Sequence, residues 1–434
     1  MTGFLDANDE PGVHAPSLYA ATATTGLRLH PLDHEIAADV AIVGGGFAGL
    51  SAAYHLANAG FDVALIDAHR IGWGASGRNG GQLAAVPRKE IDWYERVLGV
   101  DDARKIFALA LEANALVRAL IERHAISCDL HDGILEPNHR RSYDAETERY
   151  VDKLRNTYKA EHIEYVPPAK LPEYLRAEGY HGGLMNWRAA QLHPLNFALG
   201  LAIAAQDAGA RLFPMTRATA IDIENDAVAV ETPVGAVRAK SLVLAVNGYH
   251  DGVQRKYADR VMPINNFIIA TEPLGDRAKE VIPGDVAVAD SRFAINYFRL
   301  SRDGRMVFGG GENASAHFPR DLSAFVRKRM LKVFPTLEDA RVDYAWGGTL
   351  GISQTRAPVF QRLGPNALAI GGWSGSGVHM ATLGGKIAAE TLQGQLESFD
   401  LLARVPTPLF PGGMRFRGPI LRLAMAWYRL LDRI

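Results

Sequence analysis

The chain has 434 residues, with 47 basic against 48 acidic side chains and a formal net charge of −1 at pH 7. That balance argues against a general nucleic-acid binder, whose mark is a basic patch, and 48% hydrophobic content argues against disorder. The single cysteine, Cys128, excludes an intramolecular disulfide framework and a zinc site of several thiolates. The 14 histidines show no ligand spacing on a convincing helix, so no metal is expected. Glycine is in excess: of 43, 20 fall within residues 44–81 and 345–385. Such clusters mark places where backbone approaches a ligand or adopts positive φ.

Residues 1–30 carry Asp6, Asp9 and Glu10 and lack a basic segment followed by an apolar one, so they read as a mobile arm and not as a secretory signal. No stretch approaches 18 uncharged apolar residues, and a cytoplasmic location is expected. Residues 38–43 are a short β-branched strand, 47–59 follow a helical pattern stopped by Gly60, and 61–66 are a second strand ending at Asp67. Together they make one β-α-β unit. Residues 71–83 are a glycine-rich loop. Two helical patterns occupy 90–125, a polar helix 144–162, and a proline-rich turn or linker 166–172. Pro194 opens a helix to about residue 208. Short strands follow at 218–223, 227–231 and 237–239, then a fully apolar one at 242–246. Further strands are expected at 264–271, 293–300 and 306–308, a helix at 321–333, and a buried strand at 367–370 before glycines and a helix to residue 392.

Elements of one α/β domain thus recur at the start, middle and end. The expected fold class is α/β (α+β overall). A Rossmann-like domain of residues 36–88, 190–255 and 345–395 is interleaved with a mixed-sheet substrate domain of 89–189 and 256–344, between an arm (1–35) and a tail (396–434). In the tail, Ile420, Leu423, Trp427, Leu430, Leu431 and Ile434 fall at helical spacing, with Arg422, Arg429 and Arg433 on the other side. Such a helix docks on protein or lies in a membrane interface.

Gly44-Gly45-Gly46-Phe47-Ala48-Gly49 matches G-x-G-x-x-G directly after a strand and at the opening of a helix, with an acid at the end of the next strand. Gly44 allows the tight turn, Gly46 lets backbone reach a pyrophosphate at the helix N-terminus, and Gly49 lets helix and strand pack. Asp67, followed by Ala68, would accept hydrogen bonds from the adenosine ribose, and its charge disfavours a 2′-phosphate. The fingerprint alone does not separate FAD from NAD. The loop after it holds Gly74, Ala75, Ser76, Arg78, Asn79, Gly80, Gly81 and Gln82, where an NAD domain would continue with a helix. Such small residues can line the path of a threaded flavin. Arg78 would either neutralise diphosphate charge or sit in a surface salt bridge.

Residues 39–67 with the G-A-S-G-R-N-G-G-Q run at 74–82 resemble the D-amino-acid-oxidase-like FAD-dependent amine oxidoreductases, and within them the gamma-glutamylputrescine oxidase branch. H-P-L-N at 193–196, Y-F-R at 297–299, G-R at 304–305, G-G-G at 309–311, G-W-S-G-S-G-V at 372–378 and L-F-P-G-G at 409–413 carry the same likeness, so it spans nearly the whole chain. The resemblance implies an FAD-binding Rossmann-like domain whose flavin end is closed by residues 371–378. There the backbone N–H groups of Gly375, Gly377 and Val378, beside Gly372 and Ser376, would address the pyrimidine oxygen. Ala218 would lie against the adenine and Asn247 near the cofactor.

The resemblance also implies oxidation of the C–N bond of an amine to imine and aldehyde. The amine would be gamma-glutamylated, polyamine-derived or secondary, and the acceptor oxygen, giving hydrogen peroxide, or a quinone. FAD is expected to be non-covalent: no cysteine stands near the C-terminal segment, and Arg78 stands about where a histidyl attachment would be. Two departures matter. Leu350 occupies the place of the arginine that grips the α-carboxylate in D-amino-acid and glycine enzymes, and Ser376 replaces the histidine of the branch's S-G-H-G-V. Tyr297 and Arg299 share one strand face and are candidates for a carboxylate grip, Arg299 alternatively for a structural ion pair. Trp346, Trp373 and His379 are candidate pocket walls or ordinary core. The competing readings are a D-amino-acid or secondary-amine dehydrogenase feeding a quinone with its C-terminal helix at a membrane, an NAD-dependent dehydrogenase, and a flavin-binding protein without turnover.

Overall fold

The computed structural model describes residues 3–24 and 26–411; the amphipathic helix expected at 417–434 lies outside them. In chain order the elements that build the site begin with β1 (Ile36–Val43), α1 (Phe47–Asn58), β2 (Val63–Ile66), β3 (His131–Pro137), β4 (Gly183–Gln191), α2 (Pro194–Asp207), β5 (Arg211–Phe213) and β6 (Ala236–Leu244). They continue with β7 (Met262–Pro273), β8 (Ala287–Ala289), β9 (Tyr297–Leu300), β10 (Arg305–Asn313), β11 (Val342–Ile352), β12 (Val359–Gly364), β13 (Ala367–Gly371) and α3 (Gly377–Leu392).

The first sheet has eight strands, in the order β12-β13-β6-β1-β2-β5, with the hairpin of Ala220–Ile223 and Val228–Glu231 extending from β6. β13, β6, β1, β2 and β5 are parallel neighbours and β12 is antiparallel to β13. β1 lies in the middle, so its last four residues are buried and apolar, as in a parallel strand covered on both faces. α1 is buried over almost its whole surface and ends where Gly60 takes φ +87°. α2 opens with Pro194, and the ring of His193 caps it by accepting from the Asn196 amide at 3.1 Å. Burial and the nearby Arg299 push His193 down to about 4, which keeps the ring neutral and able to accept.

The second sheet has nine strands, ordered β11-β7-β10-β9-β8-β3-β4 and ending in the short strand Gln82–Leu83, with Ile163–Val166 also on β4. The two sheets draw alternately on the chain, and some segments fall differently from the sequence expectation. β11 carries Gly347, Gly348 and Gly351 and does not read as a strand, yet it pairs with β7 along nearly its whole length. Residues 345–352 therefore belong to the second sheet. Their glycines leave room: a Cβ on Gly347 would come within 2.7 Å of Phe318, and one on Gly348 within 3.2 Å of Arg78. Gln82–Leu83 likewise pairs with β4. β3 and β4 go unread in the sequence because their burial does not alternate. The strands expected at 237–239 and 242–246 are one strand, β6. The arm expected to be mobile is docked: Tyr19, in the single helical turn Leu18–Ala21, is fully buried against His193 and Trp346.

α3 crosses α1 at backbone contact. A Cβ on Gly385 would lie 2.2 Å from the Ala48 carbonyl and 2.7 Å from the Ala52 nitrogen. Ser51 Oγ bridges the seam by donating to the Thr382 carbonyl at 2.6 Å. Gly385→Ala must push the helices apart and is expected to destabilise the fold by about 1–3 kcal/mol, read as a drop in Tm. An unchanged Tm would show that the seam yields freely.

Candidate active site

A cavity of about 1410 Å³ is lined by residues of both sheets. Each sequence-selected cofactor residue lines it except Gly49, Gly81 and Gly372, which stand behind the wall. At one end is the β1–α1 turn. Gly44 has φ +115°, and a Cβ on Gly49 would fall 1.8 Å from the Gly44 carbonyl, so neither position accepts a side chain. Asp67 braces this turn: its Oδ2 accepts from the Gly45 amide at 2.6 Å and its Oδ1 from the His69 amide at 2.8 Å. Burial pushes the Asp67 carboxyl up to about 6 despite those two donors. The first α1 amide, Phe47 N–H, is held by Ser76 Oγ at 2.9 Å. Ala218 lines the cavity on the hairpin side.

The loop of residues 72–82 forms one flank and supports itself. Asn79 Nδ2 donates to the carbonyls of Ala75 and Ser76 at 3.0 and 2.9 Å, and its Oδ1 accepts from Gly81 N–H at 2.8 Å. Gln82 reaches the Val288 carbonyl at 2.8 Å. Arg78 borders the cavity, but its bonds run to protein. Nη1 donates to Asp9 Oδ2 at 2.5 Å and to the Gly347 carbonyl at 3.1 Å, Nε donates to the Trp73 carbonyl at 2.6 Å, and the guanidinium stacks over the Trp73 ring. Arg78 thus sits in a salt bridge with the arm, but a buried one and not the surface bridge expected, and its Nη2 is buried without a protein partner.

At the other end, residues 371–378 turn from β13 into α3. Asn247 takes φ +46° and accepts from Gly372 N–H at 3.1 Å. Gly375 and Gly377 face open space: beyond Gly375 the nearest atom to an added Cβ is Arg88 Nε at 3.9 Å, and beyond Gly377 nothing lies within 4 Å. No side chain caps the α3 N-terminus, so its free amides open on the cavity. Gly385 touches Ala48 at the head of α1, and Gly377 is eight residues earlier. The cavity-lining heads of α1 and α3 are therefore offset by about 12 Å along α3.

Tyr297, Trp373 and His379 line the cavity; Arg299 and Trp346 do not. Tyr297 OH donates to Asn266 Oδ1 at 2.5 Å, and its ring lies over Gly80 and Gly309. Arg299, on the same strand face, does not reach the cavity. Its guanidinium donates to the carbonyls of Gly80, Leu192 and Leu300 and to Tyr19 OH, so strand parity gave its face correctly but not its surroundings. Trp346 is core, its indole N–H donating to the Arg78 carbonyl at 2.9 Å. Burial pushes His379 down to about 4, so its ring is neutral at pH 7. Leu350, at the place of the missing arginine, is in the wall.

Sequence reasoning missed a charged group at this end: Arg88, Glu136, Glu312 and Arg356 all line the cavity. No local motif marks them; they come from a loop, two strand ends and a turn. Cys128 is outside the cavity wall, buried, and its thiol is pushed up to about 12. Among the described residues no group of acidic, histidine or cysteine side chains could hold a metal, and no helix is long and apolar enough to cross a membrane.

Residues 39–391 match the family described as DAO, FAD dependent oxidoreductase. The chain is 41% identical over 396 residues to a probable oxidoreductase OrdL of Rhizobium meliloti (strain 1021), covering 91% of this chain and 92% of that one. It is 37% identical over 423 residues to the gamma-glutamylputrescine oxidoreductase of Escherichia coli (strain K12), covering 97% and 99%. The crystal structure of glycine oxidase from Geobacillus kaustophilus superposes with a TM-score of 0.70 at 21% identity, covering 84% of this chain and 98% of that one.

The Asp9–Arg78 pair is buried on both sides, with side-chain exposures of 13% and 2%. Asp9→Asn strands the guanidinium without a counter-charge and is expected to cost about 3 kcal/mol of stability, measured by chemical denaturation. A loss below about 0.5 kcal/mol would place the pair with weak surface bridges.

Proposed function

Since the chain belongs to the DAO family of FAD-dependent oxidoreductases, we propose that it oxidises the C–N bond of an amine whose carboxylate, if it has one, is not attached to the reacting carbon. The observation that carries this reading is the continuous cavity that joins the β1–α1 turn, the α3 N-terminus and a charged far end. The residues fit FAD. The glycine turn and the N-terminus of α1 suit a diphosphate, Asp67 suits ribose hydroxyls, and Gly375 and Gly377 leave an empty cradle that any Cβ would fill. Gly44, Gly46, Phe47, Ala48, Asp67 and Ala68 would hold the adenosine diphosphate with Ala218. The loop of Gly74, Ala75, Ser76, Asn79, Gly80 and Gln82, with Asn247, would flank the middle. Gly375, Ser376, Gly377 and Val378 would hold the flavin end, where the α3 dipole favours negative charge.

Bound FAD supplies the hydride acceptor; the chain supplies alignment and a shielded site. Tyr297 is fixed by Asn266 and Gly80, so it forms a rigid wall, and Trp373 forms a second. Neutral His379 adds no positive charge where an ammonium must give up its proton before its C–H bond can donate hydride. Leu350 offers no carboxylate clamp, which supports a substrate other than a simple α-amino acid. The relative named for gamma-glutamylputrescine is similar over nearly its full length, so a gamma-glutamylated amine is the substrate class we favour, with oxygen as acceptor. With no cysteine in the cavity wall, dissociable FAD is the matching cofactor state.

Anaerobic mixing with a panel of amines is expected to bleach the flavin absorbance with a gamma-glutamylated diamine and not with D-alanine, and air to restore it. Bleaching by D-alanine alone, or restoration by a quinone but not by air, would overturn the substrate or the acceptor. A second expectation concerns pH. FAD's ribose hydroxyls donate to ionised Asp67, so binding favours the deprotonated carboxyl, and affinity is complete above pH 6 and falls as pH drops through about 6. Gel filtration at stepped pH reads the loss, and the released dye must run free of the polypeptide. Yellow colour that stays on acid-denatured chain would show a covalent link.

A further inference from the structure

The charged far end of the cavity contains an imbalance. Arg78, Arg217 and Arg292 all line the cavity and all carry a carboxylate partner: Asp9, the pair Asp6 and Asp251, and Asp290. Arg88 and Arg356 line it too, and neither makes an ion pair among the described residues. Arg88 is held by one hydrogen bond, Nε to the Ser374 carbonyl at 2.7 Å, which leaves both terminal nitrogens of its fork without a protein partner. It is half-buried beside the Gly375 cradle, and the acids Glu136 and Glu312 act on it through longer-range attraction. Arg356 lies close enough to repel it. Two like charges held near each other in a deep cavity are unfavourable unless an anion joins them.

Arg356 shows a second mark of function. It has φ +63°, a left-handed conformation that costs a non-glycine residue of this size and that concentrates at binding sites. The turn after β11 holds it so that its guanidinium carbon lies over the Phe293 ring, 4.1 Å from the centroid. Stacking occupies the face of the guanidinium and leaves its in-plane N–H groups for a carboxylate. Leu350, on the same β11, supplies an apolar surface at the place of the α-carboxylate arginine. Positive charge is thus absent there and present at the Arg88–Arg356 end.

We propose that Arg88 and Arg356 form a clamp for a carboxylate at the end of the substrate remote from the reacting amine. Glu136, on the same cavity wall, suits an ammonium group beside that carboxylate, so the clamp fits a zwitterionic amino-acid head carried on an amine. The clamp rests on the amine-oxidising reading above and names the substrate end that the reading leaves open.

The test is equilibrium binding by isothermal titration to the FAD-loaded protein. The ligands are a gamma-glutamyl alkylamide that lacks the reacting amine, and the same molecule with its carboxylate converted to a primary amide. Wild type is expected to bind the acid about 10- to 100-fold more tightly than the amide, as for charge-assisted hydrogen bonds. R88Q and R356Q are each expected to cut that ratio to about threefold or less while binding the amide as wild type does, which also shows that the cavity is intact. R88K, which restores charge without the fork, is expected to recover part of the ratio. Equal binding of acid and amide by wild type overturns the clamp. So does an equal loss for both ligands in R356Q, whose turn position spares the core if R88Q does not fold. A ratio that collapses in R88Q but not in R356Q overturns the pair and leaves Arg88 alone. Failure of every amine to bleach the flavin would refute amine oxidation separately, because the acid-to-amide ratio needs no turnover.

Discussion

The closeness of α1 and α3 is the constraint on which the rest of the site depends. Gly385 stands where any side chain would strike the backbone at Ala48 and Ala52, and Ser51 ties the two helices through the Thr382 carbonyl. This contact fixes the register between two helices that come from opposite ends of the chain. Each turns its N-terminus to the same cavity, α3 without a side-chain cap and α1 with its first amide on Ser76 Oγ, so two positive helix ends face one elongated space. A wider crossing would separate them, and the ligand would lose one or the other.

The walls are built so that little has to move. Asn79 closes hydrogen bonds within its own loop, Arg299 supports that loop from behind through the Gly80 and Leu192 carbonyls, and Trp346 and Tyr19 fill the space beneath. The N-terminal arm completes this layer: Asp9 neutralises Arg78, and Leu5 forms part of the cavity wall. Two arginines that could have addressed a ligand are thus committed to holding the flank in place. Preorganisation of this kind keeps the cost of ordering low when cofactor and substrate bind.

Against that background the two unpaired arginines are informative. A protein that pairs Arg78, Arg217 and Arg292 within one cavity has carboxylates at its disposal, and Arg88 and Arg356 stay uncompensated among them. These two half-buried arginines face one cavity without a bonded carboxylate, and the proposed clamp rests on them. The proposed clamp puts the substrate carboxylate away from the reacting carbon, and Leu350 leaves the wall apolar where α-amino-acid enzymes carry an arginine.

What the sequence determined alone is local and steric. The glycine turn before α1, Asp67 after β2, the glycine segment before α3 and the end of α3 at Leu392 all follow from near-neighbour rules: positive φ, helix period, the acid after a strand. The family resemblance rests on those same runs. Tertiary structure decided what each charge meets. Asp9 and Arg78 are 69 positions apart, Arg88 and Ser374 286, and no periodicity couples them. Strand parity puts Arg299 and Tyr297 on one face, yet only the packing shows that one side chain reaches the cavity while the other turns to backbone carbonyls. β11 escaped recognition for the same reason, since its glycines make room for Phe318 and Arg78, residues that lie elsewhere in the chain. Local geometry is written in neighbouring residues; the pairing of charges and the filling of space are settled only when distant segments meet.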